Sequence, residues 1–122
     1  KYVDPLFIGD KTSTKPYLIR FSDVALVYAE AVGPTPEAYE LVNYIRERAG
    51  VEPLNPNLGL EEFREAILQE RAWELAFEGH RLPDLRRFNK VTTLVEEASG
   101  LSPEQVAFYP LPQIEIDLNQ GL

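Results

Sequence analysis

The chain has 122 residues, 44% of them apolar, and a formal net charge of −8 at pH 7. This size and composition fit a single domain, 1–122, with enough apolar residues for a core. The acidic balance argues against nucleic acid or anionic lipid as a partner, because binding to phosphate groups requires clustered basic side chains. The sequence has no cysteine, which excludes disulfides and thiolate metal sites, and no apolar run approaches the roughly 20 residues of a membrane span.

The chain begins with an irregular segment that is followed by a strongly apolar helix. Residues 1–21 contain prolines and a glycine without a sustained period, so we predict extended chain, with short strands at most around Val3 and Leu18–Ile19. Ser22 is a suitable N-cap for a helix over 22–32. Because this helix is apolar on nearly every side, we expect neighbouring elements to pack all round it.

A turn and a second helix come next. Thr35 suits an N-cap and Pro36 the first position of a helix, and Gly50 is a natural stop, which predicts a helix over 36–49. Two antiparallel helices joined by a short turn form a hairpin, the unit of tetratricopeptide-like arrays. We therefore predict an all-α fold of tetratricopeptide-like helical hairpins with irregular N- and C-terminal segments.

A loop rich in proline and asparagine over 51–59 separates this hairpin from a long helix, which we predict over 60–78 with Gly79 as its stop. Pro83 can then open a short helix through 84–88.

The last part of the chain carries weaker signals. A helical segment is predicted over 91–98, although its threonines favour helix little. Ser102 and Gln105 form a capping box for a brief helix. The closing segment, 109–112, contains two prolines and is predicted to be extended.

The long predicted helix places two carboxylates in an apolar face. At about 100° per residue, Glu70 and Glu74 share that face with five apolar residues, namely Phe63, Ala66, Ile67, Trp73 and Phe77. A buried carboxylate costs free energy unless it finds hydrogen-bond donors or a cation, and the planar arginine fork satisfies both of its oxygens. The candidate cations are Arg46, Arg48, Arg71, Arg81, Arg86 and Arg87.

We interpret these charges as a buried ion network that fixes how helices dock. Its predicted members are Glu70, Arg71, Glu74, His80, Arg81, Asp84 and Arg86. The alternative is the catalytic pair of a glycosidase, in which two carboxylates flank the scissile bond. The network is preferred because neighbouring carboxylates on one packed helix face leave little room for a sugar ring. We therefore expect Glu70 and Glu74 to be largely buried, each close to an arginine or a backbone donor.

The remaining candidate residues indicate no reaction. His80 is the only histidine, which is too little for a metal site, and we expect it to cap or brace the turn after Gly79. Neither a nucleophilic triad nor a glycine-rich phosphate loop can be assembled, so we predict no catalytic residue, no metal and no cofactor. Tyr28 and Trp73 are predicted to pack in the core. Packing is also the default for four aromatics in irregular segments that are freer to face a ligand, Tyr2, Phe7, Tyr17 and Tyr109.

Four motifs, in order along the chain, resemble the SusD/RagB family. They are RFSDVALVYAEA at 20–31, NYIRERAG at 43–50, ERAWELAFEGHRLPDLRR at 70–87 and YPLPQIEIDLN at 109–119. Two departures are Ala72, where the family often has a second arginine, and Leu82-Pro83 in place of a common aromatic pair. Because the motifs occur in order and are distributed over most of the chain, from residue 20 to residue 119, the resemblance is specific.

This resemblance implies an all-helical, tetratricopeptide-like scaffold on the outer face of a Gram-negative outer membrane, of the Bacteroidetes kind. Such proteins bind glycans or other nutrients without catalysis, as lids over a TonB-dependent transporter of the SusC type. Whole members are several times longer and have a lipidated N-terminal cysteine. The chain is therefore expected to be the C-terminal portion, with its only membrane anchor upstream of Lys1. Because the family's ligand contacts come mostly from variable loops and from the absent portion, no ligand-binding residue is assigned. A generic helical-repeat adaptor for peptides is the remaining alternative.

Overall fold

The computed structural model describes residues 4–9, 13, 15, 17–107 and 111–119. Their regular structure is helical, with β-structure limited to an isolated bridge at Ile8, and the predicted all-α fold is confirmed. The segment Leu18–Ile19 forms a bend and not a strand, while Val3 lies outside the described residues. The helices are α1 (Phe21–Val32), α2 (Pro36–Arg48), α3 (Leu60–Glu74), α4 (Arg81–Arg87), α5 (Val91–Leu94), α6 (Pro103–Ala107) and α7 (Gln113–Leu118).

The packing divides the chain into two compact units, Lys1–Ile67 and Leu68–Leu122. The core of the first unit comprises Ala25, Leu26, Ala29, Ala38, Val42, Ile45, Phe63 and Ile67. The smaller core of the second unit comprises Leu85, Val91 and Ala98. Each unit thus has its own buried apolar cluster, and the assignment of 1–122 to one domain stays a prediction. No helix in the described part of the chain is long and apolar enough to cross a membrane.

The start of α1 lies one residue earlier than the sequence suggests. Arg20, and not Ser22, is the N-cap, because its backbone is already extended (φ −118°, ψ 156°). The Arg20 carbonyl accepts hydrogen bonds from the backbone N–H groups of Asp23 and Val24 at 3.1 and 3.2 Å. Ser22 is consequently the second residue of the helix, and it is buried.

The turn between α1 and α2 forms as its sequence predicts. The Thr35 side chain accepts a hydrogen bond from the Ala38 backbone N–H at 3.3 Å, and Pro36 is the first residue of α2. Gly33 has a φ of 76°, which favours glycine, and a Cβ there would lie 3.1 Å from a methyl carbon of Leu60. At the other end of α2, Gly50 also has a positive φ, of 73°, as a helix stop requires.

The core of the first unit combines small alanine side chains of α1 and α2 with larger side chains. Leu26 and Phe63 are among the fully buried side chains, and burial of one such side chain typically stabilises the fold by about 1.5–3 kcal/mol. The ring of Phe63 meets that of Tyr39 edge-on, with centroids 5.0 Å apart. The loop after α2 is fixed to this helix because the Asn43 side-chain oxygen accepts from the Leu54 backbone N–H at 2.8 Å.

One side of α1 departs from the expectation of neighbours all round. Ser22, Ala25, Leu26 and Ala29 are buried, whereas Val24 and Val27 on the other side are exposed. Tyr28, predicted to pack in the core, is also exposed. The reason is that α2 and α3 cover one face of α1, and a helix that is apolar on two faces needs a second neighbour to bury the other.

The predicted helix over 60–78 is too long by four residues. The structure ends α3 at Glu74, and a turn over 75–79 follows. Phe77 has a φ of 67°, in the left-handed region, which is incompatible with continuation of a right-handed helix. The glycine stop at Gly79 (φ 83°) therefore closes a turn and not the helix itself.

The shorter helices also differ in their bounds. α4 begins at Arg81, two residues before Pro83, which lies inside its first turn. The predicted helix over 91–98 is divided, because Val95 adopts extended backbone between α5 and a single 3₁₀ turn at Glu96–Ala98.

The capping box before α6 is confirmed. Ser102 N–H donates to the Gln105 side-chain oxygen at 2.8 Å, and Gln105 N–H donates to the Ser102 hydroxyl oxygen at 3.4 Å. Of the closing segment, Tyr109 and Pro110 lie outside the described residues. The helix α7 was not predicted, because it is only six residues long and follows directly on a proline-rich segment that favours extended chain.

The hairpin carries one polar contact that can be titrated. The Tyr28 hydroxyl donates to Glu37 at 2.9 Å. This hydrogen bond, together with the negative charge, raises the pKa of Tyr28 above its usual value of 10. Because the folded-state pKa is raised, the contact stabilises the fold below about pH 10 and is lost as the pH rises through the folded-state pKa.

We predict that Glu37→Gln lowers the pKa of Tyr28 towards its ordinary value, because the carboxylate that opposes ionisation is gone. The measurement is an ultraviolet absorbance titration, with Tyr28→Phe used to subtract the other tyrosines. Glu40→Gln, which removes a charge from the same helix, should leave the titration of Tyr28 nearly unchanged. Equal pKa values in the native protein and Glu37→Gln would contradict the contact.

Candidate functional site

The second unit is built around a buried ion pair between α3 and α4. Arg71 lies one turn before the end of α3, and Asp84 is the fourth residue of α4. The Arg71 Nε donates to Asp84 Oδ2 at 2.8 Å, and each of the two residues is only 4% exposed. A pair this deeply buried stabilises the fold only when its remaining hydrogen-bonding groups are satisfied.

The second oxygen of Asp84 is satisfied by a residue on its own helix. Arg87 donates from Nη2 to Asp84 Oδ1 at 3.0 Å and from Nε to the same oxygen at 3.1 Å. The Arg87 guanidinium also lies 4.7 Å from the centroid of the Phe88 ring. The Asp84 carboxylate therefore bridges two arginines, one from α3 and one from α4.

The carboxylates of α3 occupy two environments. Glu70 is buried, at 5% exposure, as its position in the apolar stripe predicts. Glu74, expected to be largely buried, is half-buried because it is the last residue of α3. Both residues take part in interactions with other groups. Glu70 is thus part of the packed interior, whereas Glu74 lies at its edge.

The other predicted network members contact the backbone. Arg81 donates to the Leu68 carbonyl at 3.5 Å, and Arg86 donates to the Val106 carbonyl at 2.8 Å, which holds α6. His80 is the N-cap of α4, and its carbonyl accepts from the Asp84 N–H at 3.0 Å, without a side-chain cap. The structure brings Arg71 and Asp84 together, and the single network of all seven residues stays a prediction.

Arg87 is the network residue that the sequence prediction omitted, although it was among the candidate cations. The signal was present, because Asp84 and Arg87 are three residues apart and share a helix face. The prediction that the apolar residues on this face of α3 are buried was wrong at the C-terminal end of the face. Trp73 is 62% exposed and Phe77 is 96% exposed. Phe77 lies beyond the end of α3, so the helical period no longer turns it towards the core. Trp73 is within α3, but the buried side of the helix includes Glu70 and Arg71 and leaves Trp73 outside it.

These positions restrict what the carboxylates can do. A general acid or nucleophile must reach the substrate, and Glu70 is enclosed by the protein. The two oxygens of Asp84 are both engaged by guanidinium groups, those of Arg71 and Arg87, so the carboxylate is occupied within the protein. Among the described residues, no three histidine, aspartate or glutamate side chains are grouped to hold a metal ion.

Two open grooves lie on the first unit, on either side of Tyr44. One, of about 420 Å³, is lined by aromatic rings and two arginines, which are Tyr17, Phe21, Tyr44, Arg20 and Arg48. The other, of about 650 Å³, is acidic, with Glu40, Glu47 and Glu52 in its wall. Tyr17 and Phe7, for which packing was the default expectation, are exposed, and Tyr2 lies outside the described residues. The exposed rings of Phe21 and Tyr44 meet edge-on, with centroids 5.9 Å apart. Exposed rings of this kind can stack on sugars or on apolar side chains.

Comparison with known proteins identifies relatives that are described as SusD or SusD-like. The model of the SusD family matches residues 1–102. SusD-like protein P2 of Formosa agariphila is 35% identical over 131 residues, covering 93% of this chain and 26% of the relative. SusD-like protein P38 of the same organism is 37% identical over 109 residues, covering 80% of this chain and 22% of the relative.

A solved structure has the same fold. A SusD homolog from Bacteroides thetaiotaomicron VPI-5482 superposes with a TM-score of 0.81 at 32% sequence identity, covering 95% of this chain and 28% of that protein. The chain therefore spans about a quarter of the length of the relatives it matches.

The ion pair predicts a clear effect on stability. Arg71→Met and Asp84→Asn should each lower the free energy of unfolding by about 3–5 kcal/mol, because the partner charge stays buried. Arg64→Met is the matched control, because Arg64 pairs with exposed Glu61 at 3.8 Å, and it should cost at most about 1 kcal/mol. Chemical denaturation measures all three. A loss for Arg71→Met no larger than that for Arg64→Met would count against a buried pair.

Proposed function

Because the chain belongs to the SusD family, we propose that it is the C-terminal, helical portion of a SusD/RagB-type outer-membrane lipoprotein that binds a nutrient. Oligosaccharides are the first ligand class to test. The parent protein is placed on the outer face of the outer membrane, anchored through an N-terminal lipid outside this chain. Its partner is a TonB-dependent transporter of the SusC type, and the protein itself carries out no reaction.

One observation supports this proposal above the others. The fold of the chain and that of the SusD homolog agree over 95% of the chain, at 32% identity and a TM-score of 0.81. The family match over residues 1–102 is independent of that superposition. A fold alone does not define a function, but here the fold and the sequence lead to the same family.

The chemistry of the second unit supports a binding role over a catalytic one. Glycoside hydrolysis needs two carboxylates that reach the sugar from opposite sides. Glu70 is buried, and it lies one helical turn from Glu74 on the same helix. Asp84 is engaged by Arg71 and Arg87. These acidic groups belong to the packing of the scaffold.

The length of the relatives indicates that most of the ligand site lies outside this chain. A sugar site gains affinity when aromatic platforms and polar groups converge from several loops, and about three quarters of each relative lies outside the matched part. We expect the intact protein to bind a member of an oligosaccharide panel and to retain its transporter in a pull-down. The 122-residue chain alone should show neither useful glycan affinity nor turnover.

Isothermal titration calorimetry of both proteins against the same panel tests this expectation. Micromolar binding by the 122-residue chain would place the ligand site within it, contrary to the proposal. Tyr44→Ala would then show whether the aromatic groove is responsible, with Trp73→Ala as the control at a similarly exposed ring elsewhere. Hydrolysis of a panel member that disappears in Glu70→Gln would replace the proposal with the glycosidase alternative.

A further inference from the structure

The helix α1 has two apolar faces, of which the described structure covers one. Ser22, Ala25, Leu26 and Ala29 face the core of the first unit. The residues on the other side form what we call the outer face of α1, consisting of Phe21, Val24, Val27, Tyr28, Ala31 and Val32, all of them exposed. At about 100° per residue they form one continuous stripe along the length of the helix.

The outer face has the composition of a packed surface. It contains no charged side chain, and the acidic residues of α1, Asp23 and Glu30, lie beside the stripe and not within it. Tyr28 supplies a hydroxyl, and this group already donates to Glu37. A contiguous apolar stripe without charges marks a contact surface.

We infer that the outer face of α1 is covered by a helix from the segment that precedes this chain in the longer protein. This inference rests on the proposal that the chain is the C-terminal portion of such a protein. The relatives are about four times as long, which provides the additional chain. A single hairpin cannot bury both faces of its first helix, and helical repeats gain stability by stacking on their neighbours.

The charge of the chain disfavours two other occupants. A net charge of −8 on 122 residues opposes close self-association of two copies. The same charge opposes insertion of the stripe into an anionic lipid surface. Neither of these charge effects prevents a helix of the same protein from covering the face, because the chain connection gives that helix a high effective concentration.

The test is thiol labelling of the full-length protein at Val27, followed by mass spectrometry of the peptide that carries the position. The variant Val27→Cys should react at least about tenfold more slowly in the native protein than in denaturant, because the covering helix must first move away. Val51→Cys is the matched control, since Val51 is 48% and Val27 50% exposed in this chain. Equal native and denatured rates for Val27→Cys would overturn the inference.

Two further measurements make every outcome decisive. If protection at Val27→Cys disappears on dilution together with a dimer seen by sedimentation velocity, a second copy covers the face and the inference is wrong. If Val27→Cys does not fold, radical footprinting of Tyr28 in the unaltered protein replaces it, and rapid modification overturns the inference. Nutrient binding with an open outer face would contradict this inference alone, whereas a covered face without nutrient binding would contradict the proposed function alone.

Discussion

The buried contact between Arg71 and Asp84 is the constraint on which the second unit depends. Two charges with 4% exposure each are tolerated only when they meet at 2.8 Å and their other groups are also satisfied. Asp84 must therefore project towards α3, which fixes the position of α4 after the turn over 75–79. Arg87, in the following turn of α4, donates to the second oxygen of the Asp84 carboxylate. The small apolar core of the second unit includes Leu85, which lies on α4. This core therefore depends on the position that the ion pair gives to α4.

The same constraint separates structure from function in this chain. Glu70 and Asp84 are the most deeply buried acids of the described residues, and both are committed to interactions inside the protein. Charges that a sequence places together can thus look like a reactive site while they serve to align helices. What the chain offers to other molecules is its exposed aromatic and apolar surface, on the hairpin and at the end of α3. A scaffold of this kind agrees with a family of binding proteins.

The local rules of helix ends made most of the fold predictable. Thr35 with Pro36, and Ser102 with Gln105, cap their helices through contacts between near neighbours, which sequence spacing specifies. The end of α3 was not predictable in this way, because Phe77 adopts a left-handed backbone that its residue type disfavours. Burial of Phe77 was mispredicted for the same reason, since the periodicity assumed a helix that continues. At the site, sequence identified the Arg71–Asp84 partners as members of a larger set, but it could not select among the six candidate arginines, because that choice depends on tertiary packing.

A double-mutant cycle at this pair tests the account most directly. Arg71→Met, Asp84→Leu and the combined variant are compared with the native chain by chemical denaturation. If the pair couples α3 to α4 as described, the double variant is more stable than the sum of the single losses implies, by about 1–3 kcal/mol. This coupling energy reports only the interaction between Arg71 and Asp84, because the energies of their contacts with other residues cancel in the cycle. Losses that add to within about 0.5 kcal/mol would show that the two residues act independently, and would contradict the central role given to their contact.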